Sequence, residues 1–396
     1  MLFFFELIAL IYFSYVVSYT AFFSFLGLFY KSPSLKRSEK LLRFCVIIPS
    51  YKEDTIILDT AKQALNQSYS HAHYKVVVIA DSLKPETVVQ LEQLPIQVVK
   101  VVFDTSTKVK SLNEAFRQLH AEYEFVVILD ADNVMEQGFL EKVNDLLGAY
   151  SYKVIQGQRK PKNENTTLAF LDGVSEAINN HIYRQGTVAA GLSSSISGSG
   201  IVCDFQLFKS KLSTMNSIGG FDRELELLLL QDGFKVYYFK EAVVYDEKVS
   251  KAQVFQNQRR RWISSQYFYL SKYFKKGMVA LLKVNLVFFN SAILRNIQLP
   301  RLLNIGLLTL LTFGLFFIKD YLTIPYYWWL LLFAVNTVAI FLAIPIAFYN
   351  AKLLRSLVEL PVIFLRMLAL LFKLKGANKK FIHTPHGLAG TKINEP

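Results

Sequence analysis

The stretch "EFVVILDAD", residues 124–132, joins a run of apolar, mostly β-branched residues to two acids that stand two positions apart. A short apolar run of this kind is typical of a strand buried on both faces of a sheet. If the extended conformation continues to the end of the stretch, Asp130 and Asp132 point the same way, because alternate side chains of a strand share a face. The stretch therefore predicts a buried strand that brings two carboxylates to one site.

Similar apolar runs precede this strand and alternate with segments of helical periodicity. The other predicted strands cover residues 44–50, 75–81 and 97–103. The predicted helices cover residues 55–67, 85–94 and 111–123. Strands that alternate with helices indicate a mostly parallel sheet with helices on both faces, and such sheets bind ligands at the carboxyl ends of their strands.

Acids follow three of the predicted strands. The first strand runs into "PSYKED", the second ends at Asp81, and the fourth ends at Asp130 and Asp132. Hard carboxylates suit Mg²⁺ or Mn²⁺, especially where a diphosphate supplies further oxygens. Lys108 and Lys110 begin a predicted helix, where cations and free N–H groups can face phosphate. A solvated turn and a solvated helix start are the alternative interpretations.

Two common nucleotide-binding motifs are absent from the sequence. No GxGxxG follows the first strand, and neither GxxxxGKS nor GxxxxGKT occurs anywhere. The sequence therefore gives no support to a dinucleotide-dependent dehydrogenase or a P-loop NTPase.

The composition favours a membrane protein. Of the 396 residues 52% are hydrophobic, which exceeds what a soluble core needs. Residues 2–29 are interrupted by one acid, Glu6, and are long enough to span a bilayer, so we predict a transmembrane helix within residues 1–30. A cleaved signal peptide is the alternative. The basic stretch "KSPSLKRSEK" that follows predicts a cytoplasmic location for the next domain.

The C-terminal part is also rich in apolar residues. Two further spans are predicted at residues 302–318 and 322–349, followed by a cytoplasmic tail over residues 375–396. Residues 278–299 and 351–374 carry charged residues among apolar ones, as an interfacial helix does, and a poor span is the alternative. Contact with anionic lipid and anionic substrate accounts for the net charge of +13, so no nucleic acid partner is expected.

The segment "FQNQRRRWISSQYFYL", residues 255–270, sets three arginines beside aromatic side chains. Arginine offers a planar fork of donors for phosphate oxygens, and Trp262 offers an apolar plate for a sugar ring. The alternative is a basic helix that touches only lipid headgroups, which fits Arg259 and Arg260 in particular.

Taken together, these segments make the chain resemble the processive-type family 2 membrane glycosyltransferases, the group of cellulose, poly-N-acetylglucosamine and hyaluronan synthases. The resemblance rests on the order and spacing of "VIIPSYKED", "IAD", "KVKSLN", "LDADN", "GGFDRELEL", "QRRRW" and "FIHTPHG". It implies an α/β GT-A domain, a Rossmann-like nucleotide-sugar domain over residues 38–250, inserted between transmembrane helices. It further implies a QxxRW segment with interfacial helices over residues 251–299, two transmembrane helices over residues 300–350, and an interfacial amphipathic helix over residues 351–374.

The resemblance also implies site residues. In such enzymes the DxD pair, here Asp130 and Asp132, holds Mg²⁺ or Mn²⁺ together with a UDP-sugar donor. The QxxRW element corresponds to Gln258, Arg261 and Trp262, at the membrane surface beside the diphosphate and the acceptor. The nucleotide-sugar-binding residues that it implies are Pro49, Tyr51, Glu53, Asp81, Lys108, Asn113 and Asp130.

The general base has two candidates. The family usually carries a Glu-Asp pair that is followed by one residue and then Glu-Leu. Here "GGFDRELELLLL" aligns Arg223 and Glu224 with the pair, so Glu224 stands where an aspartate is expected. Asp222 is the second candidate, and a helix-capping role is the alternative for it.

Two functions follow from these expectations. The first is inverting transfer of a sugar to a growing polysaccharide at the cytoplasmic face of the inner membrane. The second is transfer of one sugar to a lipid acceptor, such as a polyprenyl phosphate or a ceramide-like lipid. About three spans are predicted, which is few for a channel, so the first function would involve an oligomer or an export subunit. The intact motif residues argue against a scaffold without catalysis.

Overall fold

An α/β domain lies between a long N-terminal helix and a helical C-terminal region in the computed structural model, which describes residues 2–119, 122–374 and 387. The strands are β1 (Phe44–Tyr51), β2 (Tyr74–Asp81), β3 (Gln97–Val101), β4 (Phe125–Ile128), β5 (Val134–Met135), β6 (Val154–Pro161), β7 (Ile201–Asp204) and β8 (Tyr237–Asp246).

Helices connect the strands and continue to the end of the described region. The N-terminal helix is α1 (Leu2–Gly27). The helices of the α/β domain are α2 (Ile57–Leu65), α3 (Pro85–Glu92), α4 (Lys108–Gln118), α5 (Phe139–Ala149), α6 (Thr167–Asn180), α7 (Thr187–Ala189), α8 (Phe205–Thr214) and α9 (Phe221–Gln231). Those that follow are α10 (Ala252–Leu282), α11 (Leu286–Phe289), α12 (Arg295–Ile297), α13 (Arg301–Phe316), α14 (Tyr327–Leu342), α15 (Ala351–Leu357) and α16 (Leu360–Leu371). Two π-helical segments, His181–Gly186 and Asn290–Leu294, interrupt this series.

The sheet is parallel in one half and mixed in the other. Its strand order is β3-β2-β1-β4-β7-β6-β8-β5. The strands β3, β2, β1 and β4 are parallel, as their alternation with helices predicts. The strand β7 pairs antiparallel with both β4 and β6, while β6 and β8 run parallel. The expected α/β class is confirmed, and so is the expected mostly parallel sheet, because six of the eight strands run in one direction and only β7 and β5 run against them.

Both faces of the sheet are covered by apolar side chains. Along β1, Val46 and Ile48 lie in one buried cluster, and Cys45 and Ile47 lie in another. This alternation follows from the period of two along a strand. Because β1 is buried on both faces, its apolar run is continuous, and only its carboxyl end is left for polar groups.

The C-terminal helices differ from the predicted segments in their bounds. The predicted span 322–349 contains only α14, because Pro325 and Pro345 flank that helix. The helices α13 and α14 each have 16 residues. Such a helix is about 24 Å long, which is less than the roughly 30 Å of a hydrocarbon core.

The two predicted interfacial helices are not single elements. Residues 278–299 are divided, because α10 runs without a break through the arginine cluster to Leu282 and the chain then turns at Val284, whose φ is 58°. Residues 351–374 are divided into α15 and α16, with a proline in the first turn of α16. The predicted tail 375–396 lies outside the described residues except for Gly387.

Among the residues that the structure describes, one helix is long and apolar enough to cross a membrane by itself, with its apolar part at Phe3–Gly27. A second span results if Leu286–Ile297 and Arg301–Phe316, which are bent by 54° relative to each other, are taken together.

The N-terminal helix α1 packs tightly on the π-helical segment that follows α6. A Cβ atom on Gly186 would overlap the carbonyl oxygen of Phe23 in α1, so the two backbones are in direct contact. The absence of a side chain at position 186 is therefore what allows this packing.

Replacing Gly186 with alanine should separate α1 from the π-helical segment locally and lower the free energy of unfolding by about 1–3 kcal/mol, the usual cost of overpacking. Thermal unfolding of the purified protein in detergent measures the effect. Gly314→Ala is the matched control, because no atom lies within 4 Å of a Cβ built at that helical position. An equal melting temperature for both variants would contradict the packing argument.

Candidate active site

The first two strands end in strained turns at the same edge of the sheet. Tyr51 and Asp81, the last residues of β1 and β2, stand opposite each other in the sheet. The next residues, Lys52 and Ser82, have φ values of 57° and 58°. The N–H group of Lys52 donates to the carbonyl of Asp81 at 3.1 Å. Such left-handed conformations cost energy in residues other than glycine and cluster at functional sites.

The Asp81 carboxylate organises the start of α4. It is buried and accepts hydrogen bonds from three hydroxyl groups, those of Ser82 at 3.0 Å and of Ser106 and Ser111 at 2.9 Å. Ser106 and Ser111 did not feature in the sequence prediction. The signal that could have found them is the hydroxyl-rich stretch around Lys108, since a buried carboxylate requires donors.

Lys108 lies in the first turn of α4, whose N-cap is Thr107. Its ammonium donates to Asp130 Oδ1 at 2.6 Å and to the carbonyl of Gly198 at 2.8 Å, and it lies 5.1 Å from the centroid of the Phe221 ring. Lys108 therefore connects α4, the end of β4 and the loop before β7. The ammonium of Lys108 is thus already paired with the Asp130 carboxylate.

The two acids of the DxD pair have different surroundings. The strand β4 ends at Ile128, and Asp132 lies in a turn, so the predicted extended conformation does not continue through the pair. The side chain of Asp130 is 39% exposed, whereas Asp132 is buried and its Oδ2 accepts from the N–H of Glu247 at 3.0 Å. No group of three or more His, Cys, Asp or Glu residues suited to a metal occurs within the described ranges. Two carboxylates are too few to enclose a divalent cation, so the pair would fit one whose other ligands come from a diphosphate or from water.

The helix α9 directs its two candidate bases to different sides. Successive residues of a helix are about 100° apart, so Asp222 and Glu224 cannot share a face. A Cβ atom built at Gly198 would lie 3.9 Å from Asp222 Oδ2, so Asp222 faces the loop that Lys108 also contacts. Burial raises the pKa of Asp222, against the charges of Arg223 and Lys108. The buried Glu224 instead accepts from Lys272 Nζ of α10 at 2.6 Å.

The helix α10 carries the QxxRW residues. Burial lowers the pKa of Arg261, and the negative charges of Asp130 and Asp222 act in the opposite direction, so the guanidinium lies within electrostatic reach of both carboxylates. Trp262 is 40% exposed, and the Arg259 guanidinium lies 4.3 Å from its ring centroid. The buried Oε1 atom of Gln258 accepts no hydrogen bond from any described residue.

The remaining predicted residues fall into two groups. The region around Lys108, Asp130, Asp222 and Gly198 is the candidate cleft. Pro49 lies within β1, and the Lys52 ammonium lies 5.1 Å from the Tyr51 ring centroid, at the carboxyl end of that strand. Glu53 is buried in the turn after β1. Asn113 is not brought to the cleft by its contacts, because its amide donates to the carbonyls of Val109 at 3.1 Å and of Leu212 at 3.2 Å, between α4 and α8.

A group of buried charges under the cleft did not feature in the sequence prediction. Arg159 donates to the carbonyl of Ser197 at 2.8 Å and forms an ion pair with Asp246, which also pairs with Lys248 at 2.9 Å. Burial lowers the pKa of Arg159, but Asp246 and other nearby carboxylates outweigh burial and raise it overall. These residues lie at the ends of β6 and β8, which are distant in sequence, and no local pattern reveals their pairing.

Solved structures with similar folds were identified. A mannosyltransferase from Pyrobaculum calidifontis, solved in complex with GDP-Man and Mn²⁺, has a TM-score of 0.56 and 17% identity, and the match covers 91% of this chain and 98% of that chain. For residues 1–349 of TarS from S. aureus the TM-score is 0.39 with 16% identity, over 55% of this chain and 64% of that chain.

Glucosyl-3-phosphoglycerate synthase from Mycobacterium tuberculosis, solved with Mn²⁺, UDP-glucose and phosphoglyceric acid, has a TM-score of 0.41 and 13% identity, over 59% of this chain and 83% of that chain. No curated protein sequence matches the chain. The likeness to the mannosyltransferase shows that the α/β domain has a GT-A-like fold with a curled mixed sheet.

The sequence itself matches a family description. The match is to glycosyltransferase like family 2 and covers residues 43–265, which is more than half of the 396-residue chain. It includes the four parallel strands, the DxD pair, α9 and the QxxRW residues. The chain therefore belongs to glycosyltransferase family 2 and is a glycosyltransferase that depends on a nucleotide sugar.

Proposed function

We propose that this enzyme transfers a sugar, with inversion, from a UDP-sugar to an acceptor hydroxyl at the cytoplasmic face of a membrane. The observation that carries the proposal is that α4, the end of β4, the loop at Gly198 and α9 meet at Lys108. Lys108 bonds to Asp130 and to the carbonyl of Gly198, Asp222 lies against the same Gly198, and the charges of Asp130 and Asp222 act on the pKa of Arg261. Donor, base and leaving-group contacts are thus available around a single point.

The donor diphosphate is held by charges on both sides of the cleft. Asp130 and Asp132 would hold Mg²⁺ or Mn²⁺, and such an ion would neutralise charge on the diphosphate. The Lys108 side chain is 19% exposed and that of its partner Asp130 is 39% exposed, so phosphate oxygens can approach this ion pair from the solvent side. Arg261 offers its planar fork to the same oxygens. The nucleoside is expected beside Tyr51 and Asp81, at the ends of β1 and β2.

Asp222 is the proposed general base. It takes the proton of the acceptor hydroxyl as that oxygen attacks the anomeric carbon, while the bond from that carbon to the diphosphate breaks. A raised pKa makes the carboxylate a stronger base, and burial provides that shift here. Glu224 is less suitable, because its carboxylate is buried against Lys272.

The acceptor is a growing polysaccharide or a lipid. The motif order supports the polysaccharide, as in the processive enzymes that the sequence resembles. A second, separate cleft of about 250 Å³ supports a lipid acceptor. The apolar side chains of Leu168 and Ile363 line this amphipathic cleft together with Thr166, Ser250 and Arg366. Apolar and polar groups in one cleft suit an amphipathic acceptor. The apolar helix α1 would keep either acceptor near the bilayer.

Replacing Asp130 with asparagine should lower transfer by roughly 10²–10³-fold, the usual loss when one charge-stabilising contact is removed. The measurement is release of UDP from UDP-sugar in a Mn²⁺ titration, compared with the wild type in chelator. Asp59→Asn is the matched control, since Asp59 is exposed on α2. Wild-type turnover in excess chelator would remove the metal from the proposed mechanism.

The two candidate bases should respond differently to removal of their charge. Asp222→Asn should reduce turnover by roughly 10²–10⁴-fold, the contribution of a general base. Glu224→Gln should retain most of the turnover and lose some stability instead, because it removes the charge from the hydrogen bond between Glu224 and Lys272. Turnover numbers and melting temperatures of both purified variants decide the assignment, and the reverse pattern would give the role to Glu224.

The acceptor class can be read from the products. Protein reconstituted in lipid with a radiolabelled UDP-sugar should yield ethanol-insoluble polymer if it extends a polysaccharide, and label extractable into butanol if it glycosylates a lipid. Arg366→Ala, which alters the amphipathic cleft, should lower only the lipid product. Leu354→Ala, at an exposed position of α15 outside the residues that line the cleft, is the control. Label found only as free sugar would count against both acceptors.

A further inference from the structure

A buried charge cluster lies one helical turn beyond Asp222. Its centre is Glu226 of α9, which is 0% exposed. Its carboxylate accepts from Arg295 Nη2 at 2.9 Å with both oxygens and from Arg223 Nη1 at 3.1 Å. It also accepts from Ser291 Oγ at 2.5 Å and from the N–H of Ile196 at 3.0 Å. Both oxygens of the Glu226 carboxylate therefore accept more than one hydrogen bond.

The two arginines extend the cluster into the segment before α13. Arg223 Nη2 donates to the carbonyl of Ser291 at 2.8 Å and to Asn296 Oδ1 at 2.6 Å. The Arg295 guanidinium lies 6.0 Å from the ring centroid of Tyr183. The π-helical segment Asn290–Leu294 provides Ser291, and π-helical turns are frequent at functional sites.

Stability alone is a weak reason for such a cluster. Removing an acid and two arginines from water costs energy that their mutual attraction only partly returns, and apolar side chains of similar volume often serve as well or better. What a fully bonded cluster does provide is a unique arrangement of the chain segments that meet in it.

The segments that meet at Glu226 also carry the catalytic groups. Asp222 stands four residues before Glu226, on the same face of α9. Ile196 stands two residues before Gly198, whose carbonyl accepts from Lys108. A shift of Glu226 would therefore move Asp222 and the loop that bears the Lys108 contact together.

We propose that Glu226 is a positioning residue of the transfer reaction, which fixes α9 against Arg295, Ser291 and the loop before β7 so that Asp222 remains directed into the cleft. The inference rests on the proposed role of Asp222 as the base. A misplacement of about 1 Å can reduce turnover a hundredfold, so the arrangement matters for rate even where the fold survives.

Glu226→Gln in the full-length protein should reduce kcat by roughly tenfold or more, while KM for the UDP-sugar stays within about twofold. The split is expected because Lys108, Arg261 and the DxD pair are not on α9. Ser291→Ala is the milder variant. It removes one donor to Glu226 and keeps all three charges, so kcat should fall less, in the same direction, with KM unchanged.

Glu6→Gln is the matched control. Glu6 is also a 0% exposed glutamate, and it accepts from the N–H groups of Thr323 at 3.4 Å and Ile324 at 2.8 Å, far along α1 from the cleft. This variant should lower the melting temperature and leave kcat unchanged. Loss of kcat in both glutamate variants in proportion to their melting temperatures would reduce Glu226 to a stabilising role and overturn the inference.

The double variant Asp222→Asn/Glu226→Gln tests whether Glu226 acts through Asp222. Its kcat should equal that of Asp222→Asn, because a base that is absent cannot be misplaced. Multiplied losses would overturn the positioning role while leaving Asp222 as the base. Full activity of Asp222→Asn would refute the proposed base and the positioning role together, and kcat within twofold of the wild type in Glu226→Gln and Ser291→Ala would refute the positioning role alone.

Discussion

The ammonium group of Lys108 connects the three parts of the chain that form the cleft. It reaches Asp130 after β4, the carbonyl of Gly198 before β7, and the face of Phe221 at the start of α9. Asp130 follows β4, Gly198 precedes β7, and Phe221 begins a helix, so these three parts lie far apart in the sequence. Because a charged donor bonds more strongly than a neutral one, this one ammonium can join the end of β4 to the start of its antiparallel neighbour β7.

The part of the fold that follows from local sequence was predictable. The first four strands are β-branched apolar runs, and the helices between them have a clear period, so the parallel half could be derived with errors of a few residues at the helix ends. The strands β5 to β8 could not be derived in the same way. The strand β5 has only two residues, so its existence depends on its pairing with β8, which lies far away in the sequence.

The candidate site was predictable in its residue types more than in its geometry. The sequence indicates acids at strand ends and arginines beside Trp262, but not which carboxylate faces the cleft. Alignment with the family pattern favours Glu224, whereas the helical geometry of α9 turns Glu224 towards Lys272 and Asp222 towards the loop at Gly198. Asp222 and Glu224 stand two positions apart, so their side chains differ by about 200° around the helix axis, and a sequence motif alone does not show this difference.

Charge balance adds a constraint on how a donor can enter. The carboxyl groups of Asp130, Asp132 and Asp222 outnumber the cationic groups of Lys108 and Arg261 at the cleft. Arg159 under the cleft is already paired with Asp246. A diphosphate that entered alone would meet a surplus of negative charge in a partly buried site, where Coulomb energies are several-fold larger than in water. Under the proposed function, Asp130 would exchange its bond to Lys108 for a divalent cation held together with the donor, and the Lys108 ammonium would then be available to the phosphate oxygens.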